Sequence, residues 1–100
     1  MADFSILTDN LEQCMICGTY GAERHHVFGA SERSKSTEYG LIAPLCTYHH
    51  RMPPYGVHHN RQNNDKLKAK AQIAFKKKYP ELDFLRIFGR NYAHLLEGEE

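Results

Sequence analysis

Two short motifs in the sequence combine residue types that bind zinc. Cys14 and Cys17 form a Cys-x-x-Cys pair, and Cys46 and His49 form a Cys-x-x-His pair. Together they offer three thiolates and one imidazole, a closed four-ligand set typical of a structural zinc site. Gly18 follows the first pair and suits the positive φ angles that such turns adopt. We therefore predict a zinc-stabilised fold, in which binding is worth ~10–16 kcal/mol at neutral pH.

The fourth zinc ligand stays open between two adjacent residues, since His50 could replace His49. In an alternative interpretation the thiols bind no metal, Cys14 and Cys46 are small buried side chains, and Cys17 is incidental. Two matching spacings seldom coincide by accident, and three thiols cannot pair off into disulfides. Metal binding is therefore favoured.

Histidine is abundant beyond this set. The chain has seven His residues, and the six outside the proposed zinc site are His25, His26, His50, His58, His59 and His94. An imidazole with a pKa of ~6.5 can accept a proton near neutral pH, and its neutral form binds metal ions. The alternative for each is an ordinary core or surface histidine, which is the strongest interpretation for His94 and a substantial one for His59.

The strings ERHHVFG at 23–29 and PLCTYHH at 44–50 resemble the HNH endonuclease family, the zinc-stabilised branch of the ββα-metal nucleases. In that family a His or Asp precedes a catalytic His at the end of the first strand, and a Cys-x-x-Cys-His or related step opens the helix. The resemblance covers residues 14–60. It implies an α+β fold with a ββα-metal, treble-clef-like core, a structural zinc and C-terminal helices.

The resemblance also implies a metal-dependent endonuclease that hydrolyses DNA phosphodiester bonds. His26 would be the general base that activates water. His25 and His50 would bind a catalytic divalent cation (Mg²⁺, Mn²⁺, Ni²⁺ or Zn²⁺), and His58 is our choice for a further ligand. Strict strand geometry sends His25 and His26 to opposite faces, so we expect them to flank the phosphate or to lie at a distorted strand end.

A second function remains open: a non-catalytic, zinc-stabilised module that binds DNA or docks a protein. Its best support is the position at which the family carries an Asn, which falls on Leu41 or Gly40 here. Neither residue has a side-chain amide that could hold the loop.

Basic residues are candidates for contact with nucleic acid, and the resemblance implies double-stranded DNA as the partner. Residues 1–50 contain three basic and six acidic side chains, whereas residues 51–100 contain ten and six. Lysines attract phosphate without reading sequence, although a lysine-rich helix is often only a solvated face. The candidate DNA contacts are Arg24, Arg33, Lys35, Arg51, Arg61, Lys66, Lys76 and Lys77, with Lys68, Lys70 and Lys78 on the same predicted helix.

The elements that must position these residues follow from local patterns. We predict strands at 25–28 and 39–45 joined by a polar loop at 30–37, and a brief helix after Cys46 that ends before Pro53. Helical spacing of Leu67, Ala71, Ala74 and Phe75 predicts a helix from a cap region at 63–65 to 79–80. A last helix at 81–88 would bring Leu82, Leu85 and Phe88 together before Gly89. Residues 1–13 offer a short helix or arm, and residues 95–100 are expected to fray.

Length and composition favour one domain over residues 1–100, with the core at 14–60 and a helical extension at 61–92. The chain is 41% apolar and 25% charged, which excludes collagenous and wholly disordered classes. No apolar run approaches the ~18 residues of a membrane span, and acids stand where a secretory signal carries Lys or Arg. We expect an intracellular, cytoplasmic protein, and the resemblance adds phage or prophage origin.

Overall fold

A two-stranded antiparallel sheet lies at the centre of a small α+β fold. In this computed structural model, which describes residues 4–93, strand β1 spans Glu23–His26 and strand β2 spans Ile42–Leu45. The register pairs Glu23 with Leu45 and His26 with Ile42. All four β2 residues are buried, as expected of a short apolar run between helices. Both strands were predicted, with bounds that differ from the observed ones by two to three residues at their starts.

The polar segment between the strands is helical, so the prediction of a loop there is wrong. A 3-10 turn leads into helix α1, Arg33–Tyr39, which ends at Gly40 with a φ of 74°. Ser36 is fully buried, and its hydroxyl accepts a hydrogen bond from the Phe28 amide (3.0 Å) and donates one to the Phe28 carbonyl (2.7 Å). A helix held to the strand by one inward serine shows no apolar periodicity.

Replacing this serine tests its structural role. Ser36→Ala would leave the amide and the carbonyl of Phe28 buried without their partner, which costs ~1–3 kcal/mol of unfolding free energy. Urea denaturation measures the loss. The matched control is Ser34→Ala, an exposed position on the same helix, which we expect to change stability by less than ~0.5 kcal/mol. Equal midpoints for both variants would contradict the assignment.

Helix α2 is short, as predicted, and spans Thr47–Arg51. Cys46 precedes it in an extended conformation, and Met52 leaves the helical region directly before Pro53. Consecutive residues of an α-helix project ~100° apart, so His49 and His50 lie on different sides of α2. The two adjacent histidines therefore belong to two different sites.

Helix α3 spans Arg61–Lys78 and begins earlier than predicted. The N-cap is Asn60, whose side-chain oxygen accepts a hydrogen bond from the Asn63 amide at 2.9 Å. The predicted cap region at 63–65 therefore lies inside the first turn. The predicted apolar stripe is confirmed at Leu67, Ala71 and Phe75, which are buried.

Helix α4 spans Phe84–Phe88 and is shorter than the predicted helix. Asp83 starts it by accepting hydrogen bonds from the backbone amides of residues 85 and 86, and Gly89 ends it as predicted. The grouping of Leu82, Leu85 and Phe88 is wrong, because both leucines are exposed. Phe84 and Phe88 face the core instead, with ring centroids 4.6 Å apart.

The amino-terminal segment is an arm within the described residues, since no helix forms between residues 4 and 13. Ile6 and Leu7 pack against the core, and Gln13 forms an isolated bridge with Tyr20. His94 and the predicted fraying of residues 95–100 lie outside the described part of the chain. None of the helices in residues 4–93 has the length and hydropathy that crossing a bilayer would require.

Candidate metal centres

The predicted zinc ligands converge, and their spacing fits a tetrahedral ion. The ligand atoms of Cys14, Cys17, Cys46 and His49 all lie within 4.8 Å of one another. Cys17 Sγ is 3.7 Å from Cys46 Sγ, and His49 Nδ1 is 3.2 Å from Cys46 Sγ. A tetrahedral ion with Zn–S of ~2.3 Å and Zn–N of ~2.0 Å separates its sulfurs by ~3.8 Å and sulfur from nitrogen by ~3.5 Å. These residues could hold a metal such as zinc.

Backbone hydrogen bonds shape the turn at residues 14–18, termed the zinc knuckle. The Cys14 amide donates to the Thr19 carbonyl (2.8 Å), and the Gly18 amide donates to the Cys14 carbonyl (2.9 Å). Gly18 has a φ of 82°, which favours glycine, as predicted. The amide of Met15 donates to the Pro44 carbonyl (2.9 Å) and ties the knuckle to β2. The second ligand pair stands at the end of that strand, so the two pairs meet.

Cys17 is the exposed thiol of the set and has a supporting partner. Its Sγ lies 3.2 Å from the Thr19 hydroxyl, and this hydrogen bond lowers the pKa of the Cys17 thiol to about 6. A thiolate is the form that binds a metal ion. The structure also places His49 rather than His50 with the three cysteines.

Three histidines from separate segments form a second cluster. His25 comes from β1, His50 from α2 and His58 from the turns that follow, and one ring nitrogen of each lies within 4.8 Å of the others. The Nε2 atoms of His50 and His58 are 2.9 Å apart. Two nitrogens that bind one ion at ~2.1 Å and at a right angle lie ~3 Å apart. The cluster, termed the histidine triad, could therefore hold a metal ion.

Desolvation lowers the pKa of two members of the triad, His25 and His58. Desolvation, together with nearby His50 and His58, lowers the pKa of His25 to about 3. Its Nε2 is buried and has no hydrogen-bond partner among the described residues. Burial also lowers the pKa of His58, with a further contribution from His50. Neutral imidazoles with an unsatisfied nitrogen are suited to a metal ion.

Glu23 is a site residue that the sequence reasoning missed. Its Oε1 accepts hydrogen bonds from His50 Nδ1 (2.7 Å) and Arg51 Nε (3.1 Å), and the bond from His50 is the main cause of the lowered pKa of Glu23. A carboxylate on Nδ1 turns Nε2 of His50 toward the triad. Glu23 and His25 are two residues apart on β1, so their side chains point to the same face of the strand. That spacing was visible in the sequence, whereas the contact with His50 depends on the fold.

Removing the Glu23 charge should weaken metal binding at the triad. Partners of this kind typically contribute 10–100-fold in metal affinity, so we expect Glu23→Gln to raise the Kd for Ni²⁺ or Mn²⁺ by roughly that factor. Calorimetry on protein that retains its zinc measures the change. Glu38→Gln is the control, since Glu38 is exposed on α1 and belongs to neither group of candidate ligands. Unchanged affinity in Glu23→Gln would leave this carboxylate with a purely structural role.

His26 ends β1 and lies beside the triad without joining it. Its Nε2 is 3.0 Å from the Thr37 hydroxyl of α1, a partner that the loop prediction concealed. Although His25 and His26 alternate along the strand, both line one cavity of about 650 Å³, together with His50 and His58. Both side chains therefore border a common space at the end of β1.

The predicted DNA contacts divide into three groups. Arg24, Arg33 and Arg51 line this cavity, and so does Lys68. Lys35 does not, because its ammonium donates to the Ile87 carbonyl at 2.7 Å and pairs with Glu32 at 3.0 Å. The other predicted contacts lie on α3 outside the cavity lining: Arg61, Lys66, Lys76 and Lys77. Lys77 is nine residues beyond Lys68, or ~13 Å along a helix.

The cavity combines the imidazoles of the triad, guanidinium groups and one further histidine. Such a space can hold an anion beside a divalent cation and offer a proton acceptor. Comparison with protein-family models, curated proteins and solved structures found no match for this chain. The residues themselves therefore carry the functional interpretation.

Proposed function

We propose that this chain is a metal-dependent HNH endonuclease that hydrolyses DNA phosphodiester bonds. The observation that carries the proposal is the convergence of His25, His50 and His58 beside His26 in a cation-lined cavity. Three protein ligands leave coordination positions open, which distinguishes catalytic from closed structural sites. Strand β1 is followed by α1, β2 and α2, and the candidate zinc ligands lie on the knuckle and at the start of α2. This pairing of two strands with a following helix supports a ββα-metal core.

The residues divide the chemistry between them. In this proposal the imidazole of His26 takes a proton from water as the water oxygen attacks phosphorus, and the P–O bond to the leaving sugar oxygen breaks. Arg33 and Arg51 neutralise the non-bridging phosphate oxygens. His25, His50 and His58 would hold the divalent cation, which would supply positive charge to the phosphate and to the leaving oxygen until that oxygen takes a proton from solvent.

This chain has Gly40 or Leu41 where the family carries an Asn. Backbone hydrogen bonds hold the segment around these two residues in place. The Leu41 carbonyl accepts from the Val27 amide (3.1 Å), and the Leu41 amide donates to the Ser36 carbonyl (2.8 Å). The Gly40 carbonyl accepts from the Ile6 amide at 2.9 Å. These bonds fix the end of β1 next to His26 without a side-chain amide.

Plasmid cleavage tests the proposal. Supercoiled DNA incubated with the protein and with Mg²⁺, Mn²⁺, Ni²⁺ or Zn²⁺ in separate reactions should become nicked or linear with at least one ion, and should stay intact without added ion. At an ion concentration that just saturates the wild type, His58→Ala should lose most of the activity, whereas the adjacent exposed control His59→Ala should retain it. Binding of DNA without cleavage under every ion would favour the non-catalytic zinc module.

The lysines at the end of α3 provide a separate test of DNA binding. Replacing Lys76, Lys77 and Lys78 with Gln should weaken binding to all duplex sequences alike and reduce the salt slope by ~0.9 for each phosphate that is no longer neutralised. Fluorescence anisotropy across a salt series measures the slope. Lys35→Gln is the control, because that ammonium is already bonded to Ile87. An unchanged slope in the triple variant would identify this end of the helix as a solvated face.

A further inference from the structure

We propose that a second cavity, between the zinc knuckle and α3, binds an unpaired base of single-stranded DNA. The choice of DNA rests on the proposed nuclease function. The cavity has a volume of about 470 Å³, and its lining includes Ile16, Tyr55, Asn63, Lys66 and Lys70. It is termed the Tyr55 groove below.

Exposed aromatic surface marks the groove as a stacking platform. Tyr55 is 52% exposed and Ile16 is 56% exposed, and the ring of Tyr48 lies 6.0 Å from that of Tyr55. Aromatic rings at this exposure are available to a planar ligand. Because every base has a π-face, stacking on such rings tolerates any sequence.

The backbone that carries Tyr55 is held in place. The Asn63 side chain donates to the Tyr55 carbonyl (3.0 Å), and that of Asn60 donates to the Pro54 carbonyl (3.1 Å). Gly56 packs so closely that a Cβ there would lie 2.6 Å from the Met52 amide nitrogen. The phenol ring therefore projects from a fixed segment, which lowers the entropy lost when a base stacks on it.

Charge favours a nucleic-acid strand as the occupant. Lys66 and Lys70 lie one turn apart on one face of α3, and none of the described residues lining the groove is acidic. Lys68 lies between them in sequence but about 200° around the helix, and it lines the cavity of the histidine triad instead. Phosphates that flank a base at Tyr55 can therefore pair with Lys66 and Lys70.

The groove and the cavity of the histidine triad share the lining residue Val57, which is buried. His49 lines the groove and His50 lines the triad cavity, so the two cavities belong to different sides of α2. The groove therefore takes its own nucleotide. A duplex keeps its bases stacked on one another, so only an unpaired nucleotide can use the ring.

Binding of single and double strands to matched variants tests the proposal. A labelled oligothymidylate and a blunt duplex are titrated by anisotropy without added divalent ion. Tyr55→Leu should weaken single-strand binding by roughly 5–150-fold and leave duplex binding unchanged. Tyr55→Phe keeps the ring and should stay within about twofold of the wild type. Lys66→Gln with Lys70→Gln should lower the single-strand salt slope by ~1.4.

Three results would overturn the proposal. The first is equal single-strand affinity of the wild type and Tyr55→Leu, and the second is an equal loss of single-strand and duplex binding in that variant. The third is a dimer in sedimentation that Tyr55→Leu abolishes, which would assign the groove to another copy of the chain. The binding assay needs no divalent ion, so it is independent of cleavage. If binding depends on Tyr55 and the protein never cuts plasmid, the nuclease proposal is refuted and the groove proposal stands. If plasmid is cut and Tyr55→Leu changes no binding, the groove proposal is refuted and the nuclease proposal stands.

Discussion

Cys46→Ser is expected to unfold the domain or to make it aggregate at room temperature. Cys46 is a candidate zinc ligand and also the residue that starts α2, so its loss would remove a metal from the place where the sheet and helix meet. Zinc binding in sites of this kind is worth ~10–16 kcal/mol, whereas a whole domain is stable by only ~5–15 kcal/mol. The core of a 100-residue chain cannot supply a free energy of unfolding large enough to replace that contribution. Cys14→Ser should have the same effect.

Thermal melting followed by far-UV circular dichroism measures this loss, and elemental analysis counts the zinc carried by each chain. Thr47→Ser is the matched control, because Thr47 is the exposed neighbour of Cys46 and is outside the ligand set. The control should melt like the wild type and hold one zinc at the knuckle. Wild-type melting of Cys46→Ser would show that the cysteines and His49 bind no structural metal.

The metal ligands were predictable because their chemistry depends on residue type and short spacing. The Cys-x-x-Cys and Cys-x-x-His steps identified the zinc set, and the structure then chose His49 over His50. His58 was chosen from its position after the Gly56 turn, and it lies with the other triad members. Each of these residues is placed by a turn or helix of a few residues, which sequence patterns describe well.

The missed features depend on contacts between distant segments. Helix α1 is polar and is held by the buried hydroxyl of Ser36, so hydrophobic spacing could not reveal it. In α4 the capping side chain of Asp83 shifts the start of the helix and turns Phe84 inward in place of Leu82. Glu23 becomes a site residue only because α2 brings His50 beside it. Tertiary packing decided each of these positions.

Loss of the His26 imidazole is expected to lower the DNA cleavage rate by ~10²–10⁴-fold, the usual contribution of a general base. The side chain is half-buried at the end of β1, so His26→Ala should fold. His26 is not a member of the triad, and therefore the variant should bind a divalent cation as tightly as the wild type. Single-turnover cleavage of plasmid at saturating ion and protein measures the rate of the chemical step. His59→Ala serves as the control, and equal rates for both variants would remove His26 from the reaction.

The dependence on ion concentration separates a proton acceptor from a metal ligand. In His26→Ala the maximal rate should fall while the ion concentration that gives half of it stays the same. His58→Ala should instead require more ion, and a high concentration should restore part of its activity, because two triad nitrogens remain. If His26→Ala also required more ion, His26 would belong to the coordination sphere. The cavity would then hold four imidazoles around one cation, and another group would have to accept the proton from water.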